Sequence, residues 1–423
     1  MDIKLQHSKS VIDSCHYEGD KLLHKELLAD KKIKDASKDL IGKFKTNSNH
    51  RIYELLGHSL QISKKSAPNI FVMFEDCQKI LNLEKFPLNA FINSSQDLNA
   101  YCSFNENEIT IELNSGIIKA CSDAELMFII GHEFGHALFN HHSLPAYGIY
   151  QSVNLVPSKV LKLMSWSRQA EISADRAGLL CCQDINAASR ALIKLSCGGL
   201  DENYISFDYS DFQKQVLNRK GVDKTDEIYF THPLSPLRVG AIMDFWNSEA
   251  LASINGFPKK DLINNKTVDK NILEILSKMN PEPKTKKELK NKDNFVLFAA
   301  YYVLIQDNIS SSDQTISVNN SDKAYRAELE SLSDICGSLE VEDFITNIAD
   351  KMSLDQFTDE INKAAGQFKK SKKGIKCAAI EKIITVARAD GELSTKEMTA
   401  LYKVTSLIGI NKDFVDQILK FLD

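Results

Sequence analysis

Residues 131–142 read GHEFGHALFNHH. Within them His132, Glu133 and His136 form H-E-x-x-H. On an α-helix, positions i and i+4 lie about 40° apart on one face, so the two imidazoles can share one tetrahedral metal ion. Glu133 sits beside the first of them, close enough to act on water at such a metal but off the ligand line. A helix start is written just upstream. Ser122 and Glu125 make S-x-x-E directly before the apolar run LMFII, which is a capping box. The five-residue string also recurs by chance, so the reading turns on a third ligand.

Two residues offer one. His142 has the spacing of a motif in which a glycine breaks the helix, but Phe139 stands at the glycine position. On an unbroken helix His142 lies about 240° round from His136 and points away. Glu171, in RQAEISADRAG at 168–178, sits in a second predicted helix from about Ser158 to Cys182, with Asp175 one turn later. A carboxylate from a separate helix completes a His₂Glu set and leaves one position for water. Asp175 would then accept a hydrogen bond from the far nitrogen of a ligating histidine. The plainer reading is a solvated acidic face paired with Arg168 or Arg176.

Upstream, NIFVMF, FPLNAFIN, NAYCSF and EITIEL between Asn69 and Leu113 are short apolar and aromatic runs that suggest a small sheet. Downstream, Gly198–Gly199 closes a helix and another is predicted from near Pro236 to about Asn247. SKMNPEPKTKKELKNKDN at 277–294 has two prolines, many lysines and almost nothing apolar, and reads as a linker. The expected organisation is peripheral helices at 1–65, a metal-binding domain at 66–276, the linker at 277–294, and an all-helical domain at 295–423.

The order of motifs resembles the HtpX and CAAX-prenyl-protease class of gluzincin zinc metallopeptidases. H-E-x-x-H is followed by E-x-x-A-D-x-x-G at Glu171, Ala174, Asp175 and Gly178, then by THPLSPLR at 231–238. His141, five residues after His136, fits the same pattern, as do SGII at Ser115–Ile118 and an N-A-aromatic element, of which there are two copies, Asn89–Phe91 and the better-placed Asn99–Tyr101. The resemblance covers roughly residues 70–250. It implies an α+β, zincin-like domain, mostly helical with a small sheet. It further implies one Zn²⁺ per chain held by His132, His136 and Glu171, with Glu133 as catalytic base. His232 matches a histidine facing the active site, where it can donate to the oxyanion. Arg238 is expected to hold its segment by pairing with an acid, and Asp175 to support a ligand. His141 is expected in supporting or packing contacts. The substrate is expected to add as a strand to an edge within Asn99–Leu113.

ARADGELSTKEMTALYKVTSLIGI resembles the second half of a TerB-like tellurite-resistance helical domain. Asp390, Glu392 and Glu397 match its acidic positions, and Asp307 and Asp313 match a first half. That resemblance implies a weak divalent-cation site. The local alternative is helix capping by Ser394 with Glu397.

Composition excludes other classes. The 423 residues are 43% hydrophobic and 26% charged, with a net charge of −5, so nothing marks disorder or a basic nucleic-acid surface. The longest apolar run, Phe295–Ile305, is 11 residues, against about 20 for a membrane span. The N-terminus shows no signal-peptide pattern, and nine scattered cysteines without C-x-x-C suit a reducing, cytoplasmic setting. The membrane members of the class bury their site among spanning helices. Their absence here argues against prenylated or integral-membrane substrates. The expected activity is zinc endopeptidase cleavage of peptide or protein substrates, with a helical C-terminal domain for regulation, targeting or partner binding. The alternative is a catalytically silent zinc-fold scaffold in a stress-response complex.

Overall fold

The computed structural model describes the chain except residues 1–6, 8, 106, 154, 156, 201–202, 205–207, 218–231, 256–260, 277–278, 280–285, 309–322, 337, 372, 392 and 423. The chain divides into two compact units, Met1–Val153 with Lys162–Met279, and Asn154–Leu161 with Asn280–Asp423. No helix among the described residues is long and apolar enough to cross a membrane.

The first unit opens with helices α1 (Lys9–Cys15), α2 (Glu18–Ala29) and α3 (Lys31–His58), then strand β1 (Leu60–Gln61) and α4 (Pro68–Ile80). Strands β2 (Leu88–Asn93), β3 (Ala100–Phe104) and β4 (Ile109–Asn114) follow. They form one mixed sheet in the order β1-β2-β4-β3. β4 pairs parallel with β2 and antiparallel with β3. Every residue of β4 is buried, whereas β3 is an edge with alternating exposure. Next come α5 (Ser115–Ala120), α6 (Asp123–Leu138), α7 (Ala146–Ser152), α8 (Pro157–Cys182) and α9 (Ile185–Cys197). The unit closes with α10 (Tyr209–Leu217), α11 (Ser235–Trp246), α12 (Glu249–Asn255) and α13 (Asn265–Leu276).

Asn69–Phe74 differs from the strand expected there. Pro68 stands at the helix start, where its fixed φ and missing N–H cost nothing. Met73, Phe74, Cys77 and Ile80 recur on one helical face and are buried in the main core. The β-favouring residue types yield to that face. The N-terminal helices do more than cover the periphery, since Ile12 and Cys15 join the same core.

α6 is apolar nearly all round because it is buried nearly all round. Its start is the expected capping box. Ser122 N donates to Glu125 Oε2 at 2.8 Å, and Ser122 Oγ accepts from Glu125 N at 3.4 Å. Arg190 and Lys194 of α9 then donate to the same carboxylate at 3.0 and 2.8 Å, tying the helix start to its neighbour.

In the second unit the described elements are helical: α14 (Lys286–Leu304), α15 (Lys323–Cys336), α16 (Ser338–Asn347), α17 (Leu354–Phe368), α18 (Lys373–Ala387), α19 (Thr395–Leu407) and α20 (Lys412–Leu422), with two short 3₁₀ turns. α14 begins at Lys286, inside the stretch expected as linker. Asp313 and Glu392 lie outside the described residues. Ser394 caps α19, accepting from Glu397 N at 3.1 Å and donating to Asp307 Oδ1 at 3.0 Å. Among the described residues, no three ligand groups of this unit come close enough to share an ion.

Glu328 on α15 is 3% exposed. Burial first, then its hydrogen bond to Glu397 and the charges of Glu397, Asp390 and Asp307, push its carboxyl up to about 10. It therefore keeps a proton that the unfolded chain releases above about pH 4.3. With the folded value raised, this group costs stability progressively as pH climbs from there toward 10. Glu328→Gln, which imitates the neutral acid, should raise the melting temperature at pH 8 by on the order of 5 °C, the shift made by about 1 kcal/mol in a domain of this size. A thermal melt with the wild-type pH dependence would contradict this.

Candidate metal centre

Helix geometry fixes the first pair of side chains. His132 and His136, one turn apart on α6, bring their Nε2 atoms to 3.2 Å. α8 supplies the third group. Glu171 Oε2 lies 3.6 Å from His132 Nε2, and Glu171 Oε1 lies 3.5 Å from His136 Nε2. Ligands at tetrahedral corners about 2.0–2.1 Å from a zinc ion stand about 3.3–3.4 Å apart. The two imidazole nitrogens face different oxygens of the one carboxylate, the three groups lie within reach of a shared ion, and a donor set of two imidazoles and a carboxylate suits zinc.

Close approach of α6 and α8 makes this convergence possible. A Cβ on Gly178 would sit 2.5 Å from the Phe128 carbonyl oxygen, and one on Gly135 would sit 2.9 Å from Ala174 Cα. Glycine at these contacts lets the two backbones approach until Glu171 reaches both rings.

A second layer fixes the first. Asp175, one turn after Glu171, accepts from His132 Nδ1 at 3.0 Å, which leaves Nε2 free for a metal. Arg238 of α11 clamps Asp175 through both oxygens, Nη2 to Oδ1 at 2.6 Å and Nε to Oδ2 at 2.8 Å. Its Nη2 also lies 3.5 Å from Glu171 Oε2. All four groups are buried. Burial favours the neutral form of Asp175, but the Arg238 charge and hydrogen bonds hold its carboxyl below the usual range. Burial acts likewise on Glu171, and the opposing charges of His232 and Arg238 hold it far down. Burial pulls His136 well below its ordinary value, toward the neutral imidazole a metal needs.

Glu133 points into the same cleft. Burial pushes its carboxyl up to about 7, with His132 and Arg238 opposing and Glu171 adding to the rise. His232 Nε2 lies 3.5 Å from Glu171 Oε1 on an exposed side chain, so it is at the cleft rather than in the core. The cleft, about 1200 Å³, is bordered by β3 through Tyr101 and Ser103, and by α3 through Phe44 and Arg51. Arg51 is held there by Glu112 of β4, Nη2 to Oε2 at 2.7 Å.

The C-terminal end of α6 departs from the unbroken helix used to place His142. The helix stops at Leu138, and Asn140 takes a left-handed φ of 55°. Asparagine tolerates that conformation without glycine. The turn brings His141, not His142, against His136, with the two Nδ1 atoms 2.9 Å apart. His142 lies outside the convergent group, and burial lowers it to about 4. Sequence reasoning missed Asp20 of α2, which reaches His141 Nε2 at 3.0 Å.

Residues 67–245 match the Peptidase family M48, and residues 322–420 match the Tellurite resistance protein TerB. Both resemblances read from the motifs are met. M48 metallopeptidases are zinc-dependent. Over 162 residues the chain is 27% identical to the plastoglobule-localized metallopeptidase 48, chloroplastic, of Arabidopsis thaliana. The match covers 35% of this chain and 45% of that protein, so the chain spans less than half the length of this relative. No solved structure matches.

Proposed function

We propose, from a chain that carries a peptidase family M48 domain at 67–245 and a TerB domain at 322–420, that this metallopeptidase is a zinc endopeptidase. The observation that carries this reading is the meeting of His132, His136 and Glu171, within reach of one ion, on the wall of an open cleft. His132, His136 and Glu171 would hold a zinc ion, which would supply Lewis-acid polarisation of the scissile carbonyl and acidify water toward a pKa of about 7.

The chain's own residues supply the rest. The unpaired edge of β3 holds the substrate backbone as an added strand, beside α6. Glu133 takes the proton of the attacking water and passes it to the leaving amine. Burial raises its proton affinity in the metal-free protein, and a bound dication would favour the ionised form that accepts the water proton. His232 donates a hydrogen bond to the oxyanion as it forms. Asp175 and Arg238 hold His132 in the tautomer that faces the metal. The TerB domain serves regulation or targeting.

A silent scaffold has no use for a buried carboxylate at Glu133 in the cleft, which favours the enzyme. The test is cleavage of unfolded casein by the full chain. Activity should vanish with a chelator and return with one equivalent of zinc. Cleavage that persists through complete metal removal would refute the reading.

A further inference from the structure

We propose that Asp20 and His141 form a relay that fixes the orientation and tautomer of His136, making the N-terminal segment before residue 67 part of the metal centre. The proposal rests on His136 being a ligand. His141 lies within the residues matched to the peptidase family, whereas Asp20 lies before them, on α2.

The geometry leaves one consistent assignment of protons. To offer Nε2 to a metal, neutral His136 carries its proton on Nδ1. That N–H donates across 2.9 Å to His141 Nδ1. His141 therefore carries its own proton on Nε2, which donates to Asp20 Oδ2 at 3.0 Å. The chain ends on a carboxylate that is 1% exposed. Trp166 Nε1 donates to Asp20 Oδ1 at 2.9 Å, and Ser173 Oγ donates to Oδ2 at 2.7 Å. His16 Nε2 stands 3.1 Å from Oδ2. Trp166 and Ser173 both lie on α8, the helix that carries Glu171. The same helix thus presents one metal-facing carboxylate and anchors the acid that orients a histidine of the facing helix.

His16, Asp20 and His141 also have the spacing of a second metal group. The proton assignment argues against that occupant. A His141 that accepts at Nδ1 has its proton on Nε2 and no lone pair there for an ion. Filling the second group would require the His136 proton to move to Nε2, which would block the first. With its two oxygens facing four donors, Asp20 is satisfied without a cation.

The test is zinc affinity of the folded full-length protein, by competition with a chromophoric chelator and with folding checked by circular dichroism. His141→Leu, which removes the acceptor, should raise the zinc Kd about 10- to 100-fold at an unchanged stoichiometry of one. His141→Gln, which can accept through its carbonyl and donate through its amide, should restore most of the loss. Asp20→Asn should raise Kd about tenfold. The two near-isosteric variants carry the test if the leucine variant does not fold. A structural role alone would lower the melting temperature and leave Kd within about twofold, which would overturn the relay. Two zinc ions in the wild type, one of them lost in Asp20→Asn, would also overturn it. His136→Ala separates the two readings. If it abolishes tight zinc binding while the His141 and Asp20 variants bind normally, only the relay fails. If it leaves zinc affinity untouched, the underlying metal centre fails as well.

Discussion

Glu133→Gln should leave one zinc ion per chain and lower kcat for a peptide substrate by about 10²–10⁴-fold, the usual contribution of a positioned general base. Glutamine has the size of glutamate but no site that takes up a proton near neutral pH. The side chain lies outside the group of three that would hold the ion, so metal content should not change. Burial raises the Glu133 carboxyl to about 7 in the metal-free protein. A nearby dication favours the ionised form, so the acid limb of the wild-type rate profile should fall below that value. Loss of zinc from the variant would mean that Glu133 binds the metal. Wild-type turnover would mean that the proton is carried by another group.

Arg238→Met should destabilise the metal-free protein by about 3–5 kcal/mol, the range for removing one partner of a buried ion pair. Arg238 is 9% exposed, and its guanidinium is the cation bonded to Asp175 and close to Glu171. Methionine fills much of the volume, so most of the loss is electrostatic. The sign with pH follows from the two carboxyls. Burial alone would raise both, yet both sit below their ordinary values with Arg238 among the opposing charges. Their stabilising effect is present above about pH 4, their unfolded value, and is lost as pH falls through the folded value. The difference between wild type and variant should therefore shrink in acid. Zinc should offset part of the loss at neutral pH by neutralising Glu171. Urea denaturation at several pH values checks this. A loss under about 1 kcal/mol at pH 7 would place the pair with ordinary surface bridges.

The parts of this centre legible in the sequence are those that one helix writes by itself. His132 and His136 share a face by periodicity, Glu171 and Asp175 do the same on α8, and Ser122 with Glu125 announces the start of α6. The strands at Leu88–Asn93, Ala100–Phe104 and Ile109–Asn114 were readable from their composition. Phe71 and its neighbours were not, because β-favouring side chains on a helix look like a strand until the buried face is known. Gly135 carried no message without Ala174 of the partner helix that approaches it. Asp20 stands 121 residues from His141, with no spacing rule to link them. Asn140 is a further case. Its left-handed turn decides that His141 rather than His142 meets His136, and asparagine does not advertise that turn as glycine would.

The most direct test of the metal centre is diffraction from zinc-loaded crystals with data at the zinc edge. The account predicts one dominant anomalous peak, about 2.0–2.2 Å from His132 Nε2, His136 Nε2 and a Glu171 oxygen. A dominant peak at His16, Asp20 and His141, or one beyond bonding distance of Glu171, would contradict it.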